Sequence, residues 1–201
     1  MDLCHLNPSQ QEPISQQVEA MAAEGLRVLA VARAFFPSGE LPSGQHDFEF
    51  EFVGLVALED PVRPDVPAAI AECRSAGIRV VMITGDHPHT ALAIARQAGL
   101  VADGRAVTGP ELDRLDDAAL AARLADTHVF CRVQPEQKLR LVQAFRKRGD
   151  VVAMTGDGVN DGPALHAADI GVAMGRGGTD VAREAADLVL LDDEFSTIVA
   201  A

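Results

Sequence analysis

The tripeptide Thr-Gly-Asp occurs twice in this chain of 201 residues, each time directly after an apolar, largely β-branched run. The two copies are VVMITGD at Val80–Asp86 and VAMTGD at Val152–Asp157. An apolar run of this kind is typical of a strand that is covered on both faces, and glycine permits a tight turn directly after it. The repeat therefore predicts a mostly parallel sheet in which two buried strands each deliver a threonine and an aspartate to the carboxyl edge.

Strand-like and helix-like segments alternate after about residue 50, which favours an α/β fold. The predicted strands are Ile78–Ile83, His128–Cys131, Val151–Met154, Ile170–Met174 and Leu188–Leu191. The predicted helices are Asp65–Ala76, His89–Ala98, Glu111–Ala125, Pro135–Arg148, Pro163–Ala168 and Thr179–Ala186. We expect a Rossmann-like, mostly parallel sheet flanked by helices, with ligands bound where the strands end.

The N-terminal part of the chain has a different pattern, which predicts a small α+β region. The expected elements are a helix at Pro13–Glu24, a strand at Leu26–Ala34 and an extended stretch at Phe48–Leu58. The last of these becomes apolar throughout at Phe52–Leu58, as a buried strand would be. The domain boundary is therefore placed between residues 1–50 and residues 51–201.

Charge and composition argue against several classes of function. The formal net charge is −13, with 17 Lys and Arg against 30 Asp and Glu, so no nucleic-acid partner is expected. The same acidity suits a protein that holds a divalent cation, although solubility alone would also explain it. No apolar run reaches the roughly 18 residues of a membrane span, and the N-terminus does not resemble a signal peptide. The chain is therefore expected to be soluble and intracellular.

The second copy extends into TGDGVNDGPAL at Thr155–Leu165, which concentrates acidic and amide side chains in one turn. Asp157 and Asp161 are four residues apart, so a turn that enters a helix can direct both carboxylates to one point. Two carboxylates with open positions suit Mg²⁺, which binds one or two of them together with phosphate and water. Asn160 adds an uncharged donor and acceptor beside them. Helix capping by Asp157 or Asn160 is the competing structural explanation.

The first copy predicts a phosphate contact, because a phosphate needs short hydroxyl and backbone N–H donors that approach it closely. Thr84 and Gly85 supply both kinds of donor. Lys138, early in the helix that Pro135 opens, can neutralise a transferring phosphoryl group. A plain turn and an ordinary surface lysine are the structural alternatives. The GRGG sequence at Gly175–Gly178 is only loosely similar to a phosphate loop and is interpreted as a flexible turn between a strand and a helix.

Taken in this order, the motifs resemble the phosphorylation domain of P-type cation-transporting ATPases, which belong to the haloacid-dehalogenase-like superfamily. The matching stretches are LEDPVRPDV (Leu58–Val66), MITGD (Met82–Asp86), CRVQPEQK (Cys131–Lys138), TGDGVNDGPAL (Thr155–Leu165) and the segment Val172–Ala201. GLRVLAVA at Gly25–Ala32 is similar to a stretch of the family's nucleotide-binding domain. The resemblance implies that residues 1–50 are the C-terminal remnant of that domain and residues 51–201 a phosphorylation domain without its nucleophile segment.

The resemblance also implies roles for the residues of the first copy and for the lysine. Thr84 and Gly85 would contact the phosphoryl group. Asp86 would orient the nucleotide or a hinge. Lys138 would balance phosphoryl charge, and it would act in catalysis together with Thr84.

For the second copy, the resemblance implies a magnesium site. Asp157 would be a direct ligand of Mg²⁺, and Asp161 would complete the site. Asn160 would arrange the shell of the ion and the phosphate. The positions that match nucleotide contacts of the family, to ATP phosphates or ribose, are Arg27, Arg63 and Arg132.

One motif of the family is absent from this sequence. The aspartyl nucleophile lies in DKTGT, and neither that motif nor a DxD pair occurs here. Phosphoryl transfer through an aspartyl-phosphate needs that carboxylate as the attacking group. The chain is therefore expected to be the cytoplasmic, ATP- and Mg²⁺-binding part of a pump that couples ATP hydrolysis to cation transport, and to be inactive alone.

The expected partners are ATP and the remainder of the pump, namely the nucleophile segment, the actuator domain and the transmembrane helices. The transported cation is not expected to bind to this part. Two alternatives remain open at this point: a soluble phosphatase of the same superfamily, and a non-catalytic module that binds magnesium-nucleotide or a partner chain.

Overall fold

The computed structural model describes residues 2–36, 39, 41, 43–100 and 104–200. The chain divides into two compact units, Met1–Pro61 and Val62–Ala201. Among the described residues, the buried apolar side chains belong to the second unit with the exception of Ala22. The second unit therefore contains the hydrophobic core that positions any site.

The first unit is a helix followed by an antiparallel pair of strands. These elements are α1 (Pro8–Ala23), β1 (Arg27–Ala34) and β2 (Phe50–Leu58). The two strands pair along their whole length, with one irregularity in register between Val31 and Ala32. The small α+β organisation predicted for this region is therefore observed in its described residues.

Helix α1 begins earlier than the sequence predicts, at Pro8 rather than at Pro13. The Asn7 side chain accepts a hydrogen bond from the Gln10 N–H, and the Gln10 side chain accepts from the Asn7 N–H. This capping box satisfies two N–H groups that the start of a helix would otherwise leave unpaired. Pro13 therefore lies inside the helix, not at its start.

The boundary between the compact units lies later than the predicted boundary at residue 51. The sequence predicts Phe52–Leu58 as a buried strand, whereas the structure places this stretch within β2, paired with β1. Its side chains are largely exposed, 58% for Val53 and 48% for Leu58. The prediction of burial is wrong here, because an apolar run indicates a strand but does not show whether its faces are covered. The identity of this unit as part of a nucleotide-binding domain stays a prediction.

The second unit alternates strands and helices. Its described strands are β3 (Met82–Ile83), β4 (Val107–Thr108), β5 (Val129–Cys131), β6 (Ala153–Gly156), β7 (Ile170–Met174) and β8 (Leu188–Leu190). Its described helices are α2 (Val66–Ser75), α3 (Pro88–Gln97), α4 (Gly109–Leu112), α5 (Asp117–Asp126), α6 (Pro135–Lys147), α7 (Gly162–Ala167), α8 (Asp180–Ala185) and α9 (Phe195–Ala200). The strands form parallel sheets flanked by these helices, so the predicted α/β, Rossmann-like fold class is confirmed.

The hydrogen bonds divide the described strands into two sheets. One sheet has the order β3-β5-β4 and the other the order β6-β7-β8. Every pair in both sheets is parallel. The sequence predicts one sheet, so the division between β3 and β6 is a finding of the structure.

The predicted helix Glu111–Ala125 is two helices, α4 and α5. Thr108 caps α4 with a hydrogen bond from the Glu111 N–H, and Asp116 caps α5 with one from the Ala119 N–H at 2.8 Å. Each cap residue has extended backbone angles and begins a helix of its own, so a second helix starts after Asp116. The short strand β4 before them was not predicted from the sequence.

Helix α6 packs against both sheets. Its Phe145 lies in one hydrophobic cluster with Phe130 of β5, against which Ile83 of β3 also packs. Its Val142 lies in another cluster with Met154 of β6. One helix therefore contributes buried side chains to the hydrophobic clusters of both sheets.

Strand β3 has a free edge. Within the described residues it neighbours only β5. The Thr84 N–H donates to the Phe130 carbonyl of β5 at 2.9 Å. Peptide groups alternate in direction along a strand, so the N–H and C=O of Ile83 point away from β5, toward the free edge.

Strand β6 has a corresponding free edge. Its described neighbour is β7 alone. The Val152 carbonyl accepts from the Ile170 N–H at 3.1 Å, so the peptide groups of the next residue, Ala153, point away from β7. Unpaired edges of this kind are templates for pairing with a further strand.

No helix within the described residues is long and apolar enough to cross a membrane. This finding agrees with the hydropathy of the sequence.

The core of the second unit can be tested by a pair of leucine substitutions. Leu165 of α7 is 0% exposed, so Leu165→Ala is expected to lower the free energy of unfolding by about 2–5 kcal/mol through lost burial and a residual cavity. Leu191 is 80% exposed, and Leu191→Ala is expected to change the free energy of unfolding by less than about 0.5 kcal/mol. Urea unfolding followed by circular dichroism measures both. Equal losses would contradict the described packing.

Candidate functional site

The first Thr-Gly-Asp turn follows β3 and is closed by its own side chains. The Thr84 hydroxyl donates to Asp86 Oδ2 at 2.9 Å and accepts from the Asp86 N–H at 3.1 Å. Both side chains are half-buried, whereas Gly85 between them is exposed. The Thr84 hydroxyl proton is therefore engaged with Asp86 in this state, and a phosphoryl contact would require it to change partner.

The end of β5 holds this turn in place. The N–H of Arg132 donates to the Asp86 carbonyl, and the N–H of Val133 donates to the Thr84 carbonyl, both at 3.0 Å. Arg132 has a φ of 51°, in the left-handed region that residues with a side chain rarely adopt. Its guanidinium makes no hydrogen bond or ion pair within the described structure and is exposed. The structure thus brings the Arg132 backbone, but no guanidinium contact, to the turn.

The second Thr-Gly-Asp begins within β6, whose last two residues are Thr155 and Gly156, and the turn that starts at Asp157 packs around Asp161. A Cβ on Gly156 would lie 2.6 Å from the Cβ of Asp161, so glycine is required for this close approach. The Gly158 N–H donates to Asp161 Oδ2 at 3.3 Å. Asp157 and Asn160 are exposed, and their side chains make no hydrogen bond or ion pair among the described residues. The turn therefore buries Asp161 and leaves Asp157 available to a ligand.

Lys138 and Asp161 form a partly buried ion pair. Lys138 Nζ lies 2.6 Å from Asp161 Oδ1, and the two side chains are only 18% and 8% exposed. The lysine comes from the first turn of α6 and the aspartate from the turn before α7. The structure therefore brings these two predicted residues together, although 23 residues separate them in the sequence.

The donor set fits magnesium only in part. No three His, Cys, Asp or Glu side chains come together as a metal-binding group in the part of the chain that the structure describes. Asp157 offers a free carboxylate, but both oxygens of Asp161 already accept hydrogen bonds, from Lys138 and Gly158. This arrangement suits a magnesium ion that keeps most of its waters and takes Asp157 as its protein ligand. Asp161 acts instead as the counter-ion of Lys138.

Arg63 contacts the C-terminal segment of the second unit. Its guanidinium donates to the Asp193 carbonyl and lies 3.9 Å from Glu194 Oε2. More than half of the Arg63 side chain remains exposed. The predicted nucleotide contact of Arg63 stays a prediction, as does that of Arg27, which is exposed at the start of β1 in the first unit.

The GRGG turn between β7 and α8 already holds an anion of the chain. The Asp193 carboxylate accepts hydrogen bonds from three successive N–H groups, of Gly175 at 2.6 Å, Arg176 at 3.0 Å and Gly177 at 2.7 Å. Three converging N–H groups form an anion-binding nest. These bonds, that from Gly177 most of all, hold the pKa of Asp193 below its ordinary value. The turn is therefore an internal tether and not a free phosphate loop.

Sequence reasoning missed Gln137 and Asp193. Gln137 is buried and hydrogen-bonded to residues 24 and 28 positions earlier, and Asp193 binds a turn 16–18 residues earlier. Contacts over such separations leave no periodic or motif signal in a single sequence. The position of Gln137 directly before the motif lysine is the only local clue.

The ion pair of Lys138 can be compared with a surface pair on the same helix. Lys138→Met leaves the Asp161 carboxylate buried without its cation, so we expect the free energy of unfolding to fall by about 3 kcal/mol. Lys147 pairs with Asp117 where both side chains are at least 72% exposed. Lys147→Met is therefore expected to cost less than about 1 kcal/mol. Equal costs in urea unfolding would contradict the difference in burial.

The Asp193 tether predicts a pH dependence. Because the pKa of Asp193 is lowered in the folded state, its contribution to stability is present above the unfolded value of about 4 and is lost as pH falls through the folded value. We expect Asp193→Asn to reduce the loss of thermal stability between about pH 6 and pH 3. Asp180→Asn, at an exposed side chain of α8, is the control for the removed charge. Identical pH profiles for wild type and Asp193→Asn would contradict the tether.

This chain is similar in sequence to a known protein family and to several known proteins. The family model of haloacid dehalogenase-like hydrolases matches residues 10–169. A calcium-transporting ATPase 1 of Bacillus cereus is 48% identical over 98% of this chain and 22% of its own length. A cation-transporting ATPase pma1 of Synechocystis is 50% identical over 94% of this chain and 21% of its own length.

A probable cation-transporting ATPase F of Mycobacterium tuberculosis is 49% identical over 98% of this chain and 22% of its own length. The chain therefore spans about a fifth of the length of these relatives. The resemblance to P-type cation-transporting ATPases that the motifs indicate is confirmed. The chain belongs to the haloacid dehalogenase-like hydrolase family, within which it is similar to P-type calcium- and cation-transporting ATPases.

Proposed function

We propose that this chain is the part of a cation-transporting P-type ATPase that binds ATP and Mg²⁺ and supports phosphoryl transfer, on the cytoplasmic side of the membrane. The observation that carries the proposal is the partly buried Lys138–Asp161 pair at the carboxyl ends of parallel strands. A cation held there by a counter-ion is suited to the charge of a phosphoryl group. Relatives named as calcium- and cation-transporting ATPases support the same assignment.

In this proposal the residues of the two turns have separate tasks. Lys138 exchanges part of its contact with Asp161 for a contact with a phosphoryl oxygen. The exposed Gly85 N–H and the Thr84 hydroxyl are further donors to that group. Asp157, whose carboxylate is free, ligates Mg²⁺, and Asn160 beside it binds water or phosphate. The ion, when bound, neutralises charge on the phosphates.

The free edges of β3 and β6 support a role for the nucleophile segment. Both strands end in a Thr-Gly-Asp turn, and helix α6 packs against both of their sheets. We infer that a strand from elsewhere in the pump pairs with both edges and joins the two sheets into one. An aspartate at its carboxyl end would then lie between the two turns.

The chemistry of the whole pump requires that aspartate. Its carboxylate would attack the terminal phosphorus of ATP, so that an acyl phosphate forms and ADP leaves with the electrons of the broken P–O bond. Lys138 and the bound ion would stabilise charge on the transferring group. The isolated chain lacks the attacking group and is expected not to turn over ATP. The actuator domain, the transmembrane helices and the site of the transported cation belong to the remainder of the pump.

Two other functions remain candidates of lower rank. A soluble phosphatase of the same family would need a nucleophile that this sequence does not place in a DxD motif. A non-catalytic module would bind magnesium-nucleotide or a partner chain without chemistry. Binding measurements with turnover assays separate these from the pump assignment.

The proposal predicts separable binding of metal and anion. We expect the chain to bind Mg²⁺ with orthophosphate with a dissociation constant in the millimolar range, which corresponds to a binding free energy on the order of 4 kcal/mol. The binding is weak because an ion with few protein ligands keeps its waters. Asp157→Asn should weaken the binding of Mg²⁺ more than that of orthophosphate. Lys138→Met should weaken the binding of orthophosphate more than that of Mg²⁺. Titrations followed by the NMR shifts of the Gly85 and Gly158 amides measure both.

Asp187→Asn is a matched control for Asp157→Asn. The Asp187 carboxylate accepts a hydrogen bond from the Gly171 N–H, at the N-terminal end of β7 and away from the candidate site. This variant should leave both affinities unchanged. If neither glycine amide responds to either ligand, or if both site variants weaken the two ligands alike, the assigned roles are wrong.

A further inference from the structure

Gln137 is a buried polar side chain with fixed hydrogen-bond partners. Only 7% of the residue is exposed. Its Oε1 accepts from the Gln134 N–H at 2.8 Å. Its Nε2 donates to the Gly109 carbonyl at 3.0 Å and to Asp113 Oδ1 at 2.7 Å. Both N–H donors of the carboxamide are used, so the side chain is held in one orientation.

The backbone around this carboxamide is packed closely. A Cβ on Gly109 would lie 2.6 Å from Gln137 Oε1 and closer still to the Arg132 carbonyl oxygen. A side chain at Gly109 is therefore excluded unless one of these groups moves. Gln137 thus fixes the start of α4 against the residues that leave β5.

The residues after β5 contact both the first Thr-Gly-Asp turn and the start of α6. Toward the first turn, the Arg132 N–H donates to the Asp86 carbonyl at 3.0 Å. Toward α6, Gln134 is the N-cap residue, and its N–H is the group that Gln137 accepts. Lys138 follows Gln137 directly, and its own N–H donates to the Gln134 carbonyl at 3.1 Å. The place where α6 begins therefore determines the direction of the Lys138 side chain.

We propose that Gln137 is a positioning residue: its carboxamide fixes the start of α6 and thereby the Lys138 ammonium relative to Asp161 and the first Thr-Gly-Asp turn. The inference rests on the proposed function only in assigning an anion to Lys138. A displacement of a charged group by a fraction of an ångström weakens its contact with a bound anion, because both the distance and the angle of the hydrogen bond change. Gln137 itself does not touch the anion.

A purely structural role for Gln137 is the competing explanation, and it makes a different prediction. It predicts lower stability but an unchanged site in the molecules that remain folded. The positioning role predicts a change at Lys138 and its partners in the folded protein. The Gly158 amide reports this change, because its N–H donates to the same Asp161 carboxylate that pairs with Lys138.

The test uses Gln137→Met, which has similar length and no charge and removes all three hydrogen bonds. Gln143→Met, at an exposed position of the same helix, is the matched control. Asp113→Ala removes the hydrogen bond from Gln137 Nε2 by a substitution at an exposed residue. This variant should therefore fold even if Gln137→Met does not. Sulfate is the probe, since it stays a dianion throughout the working pH range.

We expect Gln137→Met to weaken sulfate binding about threefold or more and to shift the Gly158 amide resonance in the ligand-free protein. Asp113→Ala should shift the same resonance in the same direction by a smaller amount, and Gln143→Met should change neither quantity. Wild-type sulfate affinity of Gln137→Met would overturn the positioning role, and so would an unshifted Gly158 amide in both Gln137→Met and Asp113→Ala.

Failure of the proposed function has a different signature. If wild-type protein does not bind sulfate, the anion assignment fails, and the Gly158 shift of the ligand-free variants alone decides the role of Gln137. If sulfate binds to wild type and to Gln137→Met with equal affinity, the anion assignment stands and the positioning role is wrong.

Discussion

The unpaired peptide groups along β3 and β6 are the constraint on which the rest of the second unit depends. A parallel sheet is stable when its backbone groups are paired and its faces are covered, and among the described residues β3 and β6 each have one edge without a paired strand. Helix α6 covers both sheets, and the two Thr-Gly-Asp turns follow the two strands with free edges. The same positions that would complete the sheet would therefore complete the site.

The polar groups of the site lie in the segments that follow β3, β5 and β6. The Lys138 ammonium pairs with Asp161, and the Thr84 hydroxyl donates a hydrogen bond to Asp86, so both groups have a partner within the chain. The Asp157 carboxylate remains free at the surface. This pattern fits a site that holds its cationic group in place and takes its metal and anion from outside. The low exposure of Lys138 explains why its pair should matter more to stability than a surface pair.

Much of the fold and part of the site follow from the sequence. The apolar runs before each Thr-Gly-Asp predict β3 and β6, and the spacing of Asp157 and Asp161 places both in one turn. The exposure of Phe52–Leu58 could not be predicted, because an apolar run indicates a strand but does not show whether its faces are covered. The roles of Gln137 and Asp193 depend on contacts across many residues, so no local pattern indicates them. The spacing of Asp157 and Asp161 shows which carboxylates are near each other, but not which cation each of them faces.

Backbone hydrogen exchange at the free edges tests the central claim most directly. The amides of Ile83 and Ala153 should exchange rapidly in this chain, because nothing in the described structure pairs with those edges. In a longer chain that carries the proposed nucleophile segment, both amides should become strongly protected, as members of one continuous sheet. Unchanged exchange in the longer protein, or full protection already in this chain, would contradict the account.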